Sequence, residues 1–368
     1  MSTYQILDLS QVEEWDAVLA EFGETDIYYS PRYLQISEEN NEGAARLFVF
    51  REDGFVVCYP YLMRRINDLP LPAAQRLEQA YYDIVTPYGY GGPITTAVQQ
   101  EDSERIGADF AAAFAAYCKK QRIIAEFVRF HPILHNHTFY PAVGPTNIRQ
   151  TVCLDLRKNI WSNLKAPCRN RVRHAANSGL TVERDNLDNL ELFMELYYAT
   201  MNRNQATSFY YFSERYFRNT LELLGQDQVS LFSVKLGERT IASAFFIHAG
   251  SYVSYHLTGS DHTYLSYAPY NILLAEAAEH FQALGYSYLH LGGGYRGKDE
   301  LLRFKSTFTK DAPLDFYIGR KVHNNEVYQS LCCGLQQEDD YFPLYRNPLF
   351  DTASIGQNTA KLFYQTPG

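Results

Sequence analysis

The chain has 368 residues, a mass of 42.3 kDa and a formal net charge of −9. Apolar residues make up 46% and charged residues 20%, which excludes a disordered chain and leaves enough apolar surface for two domains of roughly 150–200 residues. No apolar run approaches the roughly 20 residues of a membrane span, and the acidic balance argues against a generally basic nucleic-acid coat. The first residues (Met1 to Gln5) show neither a basic region nor an apolar stretch, so the expectation is a cytoplasmic protein. Six cysteines without a CxxC spacing read as reduced thiols rather than a disulfide framework or a zinc site.

Along the chain, residues 4–9 predict a strand and 11–22 a helix. Pro31 suits the first turn of a second helix reaching about Glu39. Arg46–Arg51 and Phe55–Arg64 flank a Glu-Asp-Gly turn and predict a hairpin. Asp83–Val85 is a short strand, followed by the loop Thr86–Pro93. Ile106, Phe110, Ala113, Phe114 and Tyr117 recur at helical spacing, and Ile123–Phe130 is the next strand. The second half repeats this order. A strand over 151–156 precedes a helix opened by Pro167 and closed before Gly179, then helices over 187–202 and 214–224. A hairpin (229–235 and 240–248) and a strand (251–257) follow, then a loop (259–268) and a helix stopped by Gly285. The strand 286–291, a short helix over 299–308 and the strand 314–318 complete it. The helix-to-strand junctions at Gln121 and Gly285 lie about 164 residues apart, which suggests two copies of one mixed α/β unit. The expected division is 1–150, 151–322, and a helix with an irregular tail over 323–368 that packs back on the core.

Three features carry chemistry. Between Arg157 and Val182 stand six basic side chains (Arg157, Lys158, Lys165, Arg169, Arg171, Arg173) and no acidic one. Arg169 and Arg173 share a helix face and suit a phosphate-bearing ligand; the same pattern also fits a solvated face that balances nearby acids. Leu291–Asp299 (LGGGYRGKD) comes close to a phosphate-binding P-loop, but Asp299 replaces the Ser or Thr that would hold magnesium and would repel phosphate, so nucleotide hydrolysis is rejected. The backbone amides of Gly293 and Gly294, with Arg296 and Lys298, can still hold an anion or a developing oxyanion. Phe304-Lys305-Ser306-Thr307-Phe308 places a lysine among aromatics. In a dry pocket its charge would act strongly on a transition state; on a surface helix it would snorkel outward. His131, His135 and His137 lack companion ligands, and no metal is expected. His290 either lines the site or packs in the core. No GxSxG occurs, and no cysteine has a legible catalytic partner. The 30 tyrosines suit the walls of a ligand groove as well as cores.

The ordered segments DIVTPYGYGGP (83–93), RNRVRHAANSG (169–179), LHLGGG (289–294), FKSTF (304–308) and YFPLYR (341–346) make the chain resemble the FemAB-like branch of the GNAT acyltransferase superfamily, over nearly the whole chain to about residue 346. The resemblance implies two tandem GNAT folds with an acceptor groove between them. It also implies transfer of an amino acid from aminoacyl-tRNA to an amine on a cell-envelope precursor such as a peptidoglycan intermediate. By the same resemblance, Phe304 and Lys305 match the pair near the reacting ester. Arg203 and Tyr211 match the acceptor-contacting end of the long helix, and Tyr88 and Tyr90 face the groove. Two departures stand out. After Tyr33 the acceptor-diphosphate lysine of muropeptide ligases is missing, and 259–270 (GSDHTYLSYAPY) lacks the QxxGxG/A loop of CoA-dependent members. An aminoacyl-tRNA ester is therefore the expected donor, with no bound cofactor. The alternatives are an acyl-CoA-dependent N-acyltransferase on a sugar nucleotide or polysaccharide, and a non-catalytic glycan- or peptide-binding protein on the same fold.

Overall fold

In the computed structural model, residues 2–185, 189–207, 210–294, 299–336 and 340–350 are described. The first elements are β1 (Thr3–Leu7), α1 (Val12–Ala20), α2 (Pro31–Glu39), β2 (Ala44–Glu52) and β3 (Phe55–Arg65). Then come α3 (Pro72–Gln75), β4 (Tyr82–Val85), β5 (Ile94–Thr95), α4 (Gln100–Lys120) and β6 (Ile123–Arg129). The middle holds β7 (Thr146–Asp155), α5 (Ile160–Asn163), α6 (Ala166–Asn177), β8 (Leu180–Asp185), α7 (Leu190–Arg203) and α8 (Glu214–Gln228). The last elements are β9 (Val229–Leu236), β10 (Arg239–Ala249), β11 (Tyr252–Ser260), α9 (Pro269–Ala283), β12 (Tyr288–Gly293), α10 (Glu300–Lys305), β13 (Leu314–Val322) and α11 (Asn325–Cys332). The fold is the expected mixed α/β class. Beyond the predicted elements it adds the edge strand β8, whose TVERD run carries little apolar signal, and the short β5. Residues 259–268, read from sequence as a loop, hold the end of β11 and a 3-10 turn over His262–Tyr267.

Two compact units result. One comprises residues 1–23, 28–148 and 315–368, the other 24–27 and 149–314. The first has strand order β1-β2-β3-β4-β6-β13, with β5 beside β3. Its crossover helix α4 has Glu101 and Asp102 in the first turn and Lys119 and Lys120 in the last, the signs that suit the helix dipole. Ile106, Phe110, Phe114 and Tyr117 form its apolar stripe and pack on Phe48, Tyr59 and Tyr61 of the sheet. The tail segment 340–350 belongs to this unit. Tyr345 is buried with Leu331, Ile66 and Ile124, and Arg346 pairs with buried Asp83.

The second unit has the order β7-β12-β11-β10-β9-β8. The β9–β10 hairpin precedes β11, and α9 crosses over to β12, which runs parallel to β11. In the first unit β2 and β3, β4, α4 and β6 follow the same plan. Pro269 presets the first helical turn of α9, and Gly285, at φ +90°, follows its end. Ile272, Leu274, Ala277, Ala278 and Phe281 of α9 fill the core with Phe246, Val253 and Leu289. On β11, Gly259 lies so close to the backbone of Leu196 and Tyr197 in α7 that any side chain there would overlap it. No helix among the described residues is long and apolar enough to cross a membrane.

Candidate active site

The site begins where two parallel strands part. β11 and β12 are in register only over Tyr252–Ser254 and Tyr288–His290. Beyond that, β11 runs on to Ser260 and β12 to Gly293. Such a fork at the carboxyl ends of parallel strands leaves backbone groups without ladder partners and is a usual place for a ligand.

At the end of β12 the glycine run is shaped by close approaches. Gly292 has φ +71°, a side chain at Gly293 would meet the Gln150 carbonyl at 2.7 Å, and one at Gly294 would overlap the Asp299 carboxylate. Asp299 caps α10 by accepting the Leu302 amide at 2.9 Å. Lys305, 8% exposed, turns inward from the last turn of α10. Its Nζ donates to the Gly293 carbonyl at 2.8 Å. Burial brings this ammonium down to about 8; Asp299 opposes that shift and Arg149 adds to it. Arg149 donates to the Gly294 carbonyl at 3.3 Å. The glycine run was expected to present amides to an anion. At Gly293 and Gly294 the contacts with named cations run instead through the carbonyls. These carbonyls hold the two cations at the strand end. Arg296 lies outside the described residues.

The second unit also has an open cavity of about 330 Å³. Pro167, Cys168 and Arg171 of α6 line it, with Tyr270 and Asn271 of α9 and Phe304 and Thr307 around the end of α10. Lys305 itself does not line the cavity wall; its neighbour Phe304 does. Both α6 and α9 start at this cavity with a proline in the first turn and no side-chain cap, so the positive ends of two helices open onto it. The Lys165 amide donates to the Thr307 carbonyl at 2.9 Å, which ties the start of α6 to the end of α10. Burial pushes the Cys168 thiol up, with Asn271 and Thr307 as its hydrogen-bond neighbours.

The basic cluster divides in a way that sequence spacing did not reveal. Arg169 folds back onto the Leu164 carbonyl at the entry to its own helix. Arg173 lies over the Trp161 ring at 5.2 Å. Arg171, which lines the cavity, donates to the Ser266 carbonyl at 2.8 Å. The arginine of the cluster that lines the cavity is thus Arg171, offset from the Arg169/Arg173 pair. The legible signal for this wall was the pair of Ala-Pro helix starts at 166–167 and 268–269.

Arg203 ends α7 and donates to the Ser260 carbonyl at 3.3 Å, the last residue of β11. Tyr211 is exposed, donates to Asn202 Oδ1 at 2.7 Å and stacks with Tyr198. Tyr88 and Tyr90 belong to the first unit. The Tyr88 carbonyl accepts from the Tyr33 hydroxyl at 2.8 Å, and Tyr90 packs edge-on against Tyr28 and Phe316. Asn136 pins their loop by donating to the carbonyls of Gly91 and Pro93. His137 stacks flat on Tyr317 at 3.8 Å, and no group of metal-binding side chains occurs among the described residues. His290 is buried.

With this geometry in place, residues 162–306 match the family model of the acetyltransferase (GNAT) domain. That span holds the fork, the cavity and Lys305. Among solved structures the chain is similar to FemX, with 17% identity, 89% of this chain and 99% of that chain covered and a TM-score of 0.64. It is also similar to L-PGS from Bacillus licheniformis (14%, 89% and 97%, 0.52). A third is the C-terminal domain of a putative lysylphosphatidylglycerol synthetase from Agrobacterium fabrum (14%, 86% and 93%, 0.50). No curated protein sequence matches the chain. The fold and the domain match define a GNAT-type acyltransferase. Residues 162–306 thus form a GNAT-type domain, and the chain as a whole is similar to FemX in fold.

Proposed function

We propose that the chain transfers an activated carboxyl group from an aminoacyl-tRNA ester to an amine on a cell-envelope precursor, a peptidoglycan intermediate being the leading acceptor class. The observation that carries this reading is the cavity of the second unit. It joins two uncapped helix starts and Arg171 to the Phe304–Lys305 helix end. Helix N-termini and an arginine suit a phosphate-bearing carrier. FemX and the lysylphosphatidylglycerol synthetase domain, whose name denotes an aminoacylated lipid, support an aminoacyl donor over a simple acyl donor. In this reading the carrier's phosphate rests against the helix starts and Arg171, and the carbonyl reaches the fork. There the amine nitrogen attacks the carbonyl carbon, the bond from that carbon to the ester oxygen of the tRNA breaks, and the proton that the nitrogen loses ends on that oxygen. The Lys305 ammonium, fixed by Gly293, stabilises the negative charge that develops on oxygen.

The deciding experiment is a donor screen with mass spectrometry of a cell-envelope extract: tRNAs charged with each amino acid against acyl-CoAs. Label passing from charged tRNA to an amine product is the expected result. Release of free CoA thiol, without use of any charged tRNA, would transfer the reading to the acyl-CoA alternative. Lack of turnover with every donor would sink it. Binding of tRNA should also weaken steeply between low and moderate salt.

Arg171→Ala is expected to raise the donor KM about 10–100-fold, the worth of one charged hydrogen bond. Arg169→Ala and Arg173→Ala should stay within about threefold of wild type, because neither lines the cavity and their guanidinium groups rest on the Leu164 carbonyl and the Trp161 ring. Equal effects of all three would show a diffuse basic patch instead of one seated contact.

A further inference from the structure

Ser230, His248 and Tyr286 form a hydrogen-bonded row in the second unit. His248, near the end of β10, is 3% exposed. Its Nε2 meets the hydroxyl of Ser230, at the start of β9, at 3.1 Å. Its Nδ1 meets the hydroxyl of Tyr286, in the turn from α9 into β12, at 2.7 Å. The rings of Phe281 and Tyr286 pack against the imidazole at 5.3 Å and 5.2 Å. The row therefore ties two strands to the turn that follows the crossover helix. The start of α9 lines the cavity, so Tyr286 lies past the opposite end of that helix. None of these three side chains has a task in the transfer described above.

A neutral imidazole suits this place. One ring nitrogen donates, the other accepts, and each hydroxyl can take the complementary part. An imidazolium does not suit it, because its charge would be buried and both of its hydrogen-bond partners are neutral hydroxyls. The ionisable side chains that face the ring are Arg184 of β8 and His280 of α9, which repel a positive charge. Asp227 of α8 acts on Tyr286, as Arg184 also does. Burial brings the imidazole from its ordinary 6.5 down to about 4, and Arg184 and His280 add to that shift. We propose that the Ser230–His248–Tyr286 row is an acid-sensitive latch: it holds β9, β10 and the α9–β12 turn together while His248 is neutral, and protonation of His248 releases them. A proton binds the released form near the ordinary histidine value and the latched form only at the lower one. The latch is therefore fully closed above about pH 6.5 and loosens as pH falls towards about 4, with the released fraction growing about tenfold per pH unit in between. Release frees the start of β12, the strand that ends at Gly293, and the end of α9, whose start lines the cavity. The latch acts in the same way whichever donor the site uses.

The test is amide hydrogen exchange on the full chain between pH 7 and pH 5, corrected at each pH for the intrinsic exchange rate. It follows segments 229–236, 244–249 and 281–291 in wild type and in His248→Gln. Glutamine can still donate to one hydroxyl and accept from the other, but it takes up no proton. Opening of these segments in wild type, divided by that in the variant, should grow about tenfold per pH unit below about pH 6.5, or about 30-fold from there to pH 5. His256 of β11, bonded to the Tyr216 hydroxyl at 2.9 Å, is common to both proteins and cancels in that ratio. If His248→Gln does not fold, His248→Asn, smaller and equally unable to bind a proton, is read by the same ratio. A ratio that stays constant with pH would overturn the latch. So would wild-type opening that is flat from pH 7 to pH 5, whatever the variants do.

Discussion

Replacing Lys305 with methionine is expected to lower kcat by about 10²–10³-fold, the usual worth of one preorganised group facing a developing oxyanion. Methionine keeps most of the stem volume and removes the charge. The effect should fall on kcat more than on donor KM, because Lys305 is off the cavity wall while Arg171 is on it. The pH profile carries an independent signature. The Lys305 ammonium is brought down to about 8, so wild-type activity should fall as pH rises through about 8, and the residual activity of Lys305→Met should lack that limb. Stability moves in the opposite direction. A lysine with a folded value near 8 and an unfolded value near 10.4 binds more protons when unfolded in that window. Wild-type stability relative to Lys305→Met should therefore rise between about pH 8 and pH 10.4. Urea midpoints of both proteins at pH 7, 9 and 10.5 measure this. A constant difference would mean that the ammonium is solvated, and the catalytic role assigned to it would then be wrong.

Asp83→Ala should destabilise the first unit by about 3–5 kcal/mol, the cost of removing one partner from a buried ion pair. Asp83 is fully buried between Arg64 Nε at 2.6 Å and Arg346 Nε at 2.5 Å. Burial pushes its carboxyl up, but the two guanidinium groups outweigh this and hold it below the usual carboxylate value. The stabilisation is thus complete above about pH 4 and is lost only as pH falls through the depressed value. Arg346 also donates to the Arg65 carbonyl at 3.1 Å, so the variant should release the 340–350 segment to protease before global unfolding. Arg346→Ala should cost less, since Arg64 still neutralises the carboxylate. A loss under about 1 kcal/mol for Asp83→Ala would show that water reaches the site and that the pair is no clasp.

These residues also mark how far the sequence could be read. Asp83 and Arg346 were visible as parts of two separate segments, yet their pairing spans 263 residues, and no local pattern encodes it. Lys305 stood out as a lysine among aromatics, but a snorkelling surface lysine has the same sequence, and only the structure shows that it is buried. Arg169 and Arg173 stood out by their i,i+4 spacing. That spacing only says that they share a helix face, and the structure gives both of them internal partners. Arg171 was passed over because its worth depends on Ser266 and a cavity wall brought to it from 95 residues away.

By itself the amino-acid order determined the elements: the stripe of α4, the proline starts of α2 and α6, the glycine stops, and the two matching rounds of hairpin, strand, helix and strand. Apolar periodicity and turn chemistry act over a few residues, so they are written in local sequence. Tertiary structure alone decided which polar groups meet. It set where β11 and β12 part, which arginine reaches the cavity, and that Gly293 offers Lys305 a carbonyl. Such contacts join residues distant along the chain, and their energies come from burial and geometry, which no run of neighbouring residues specifies.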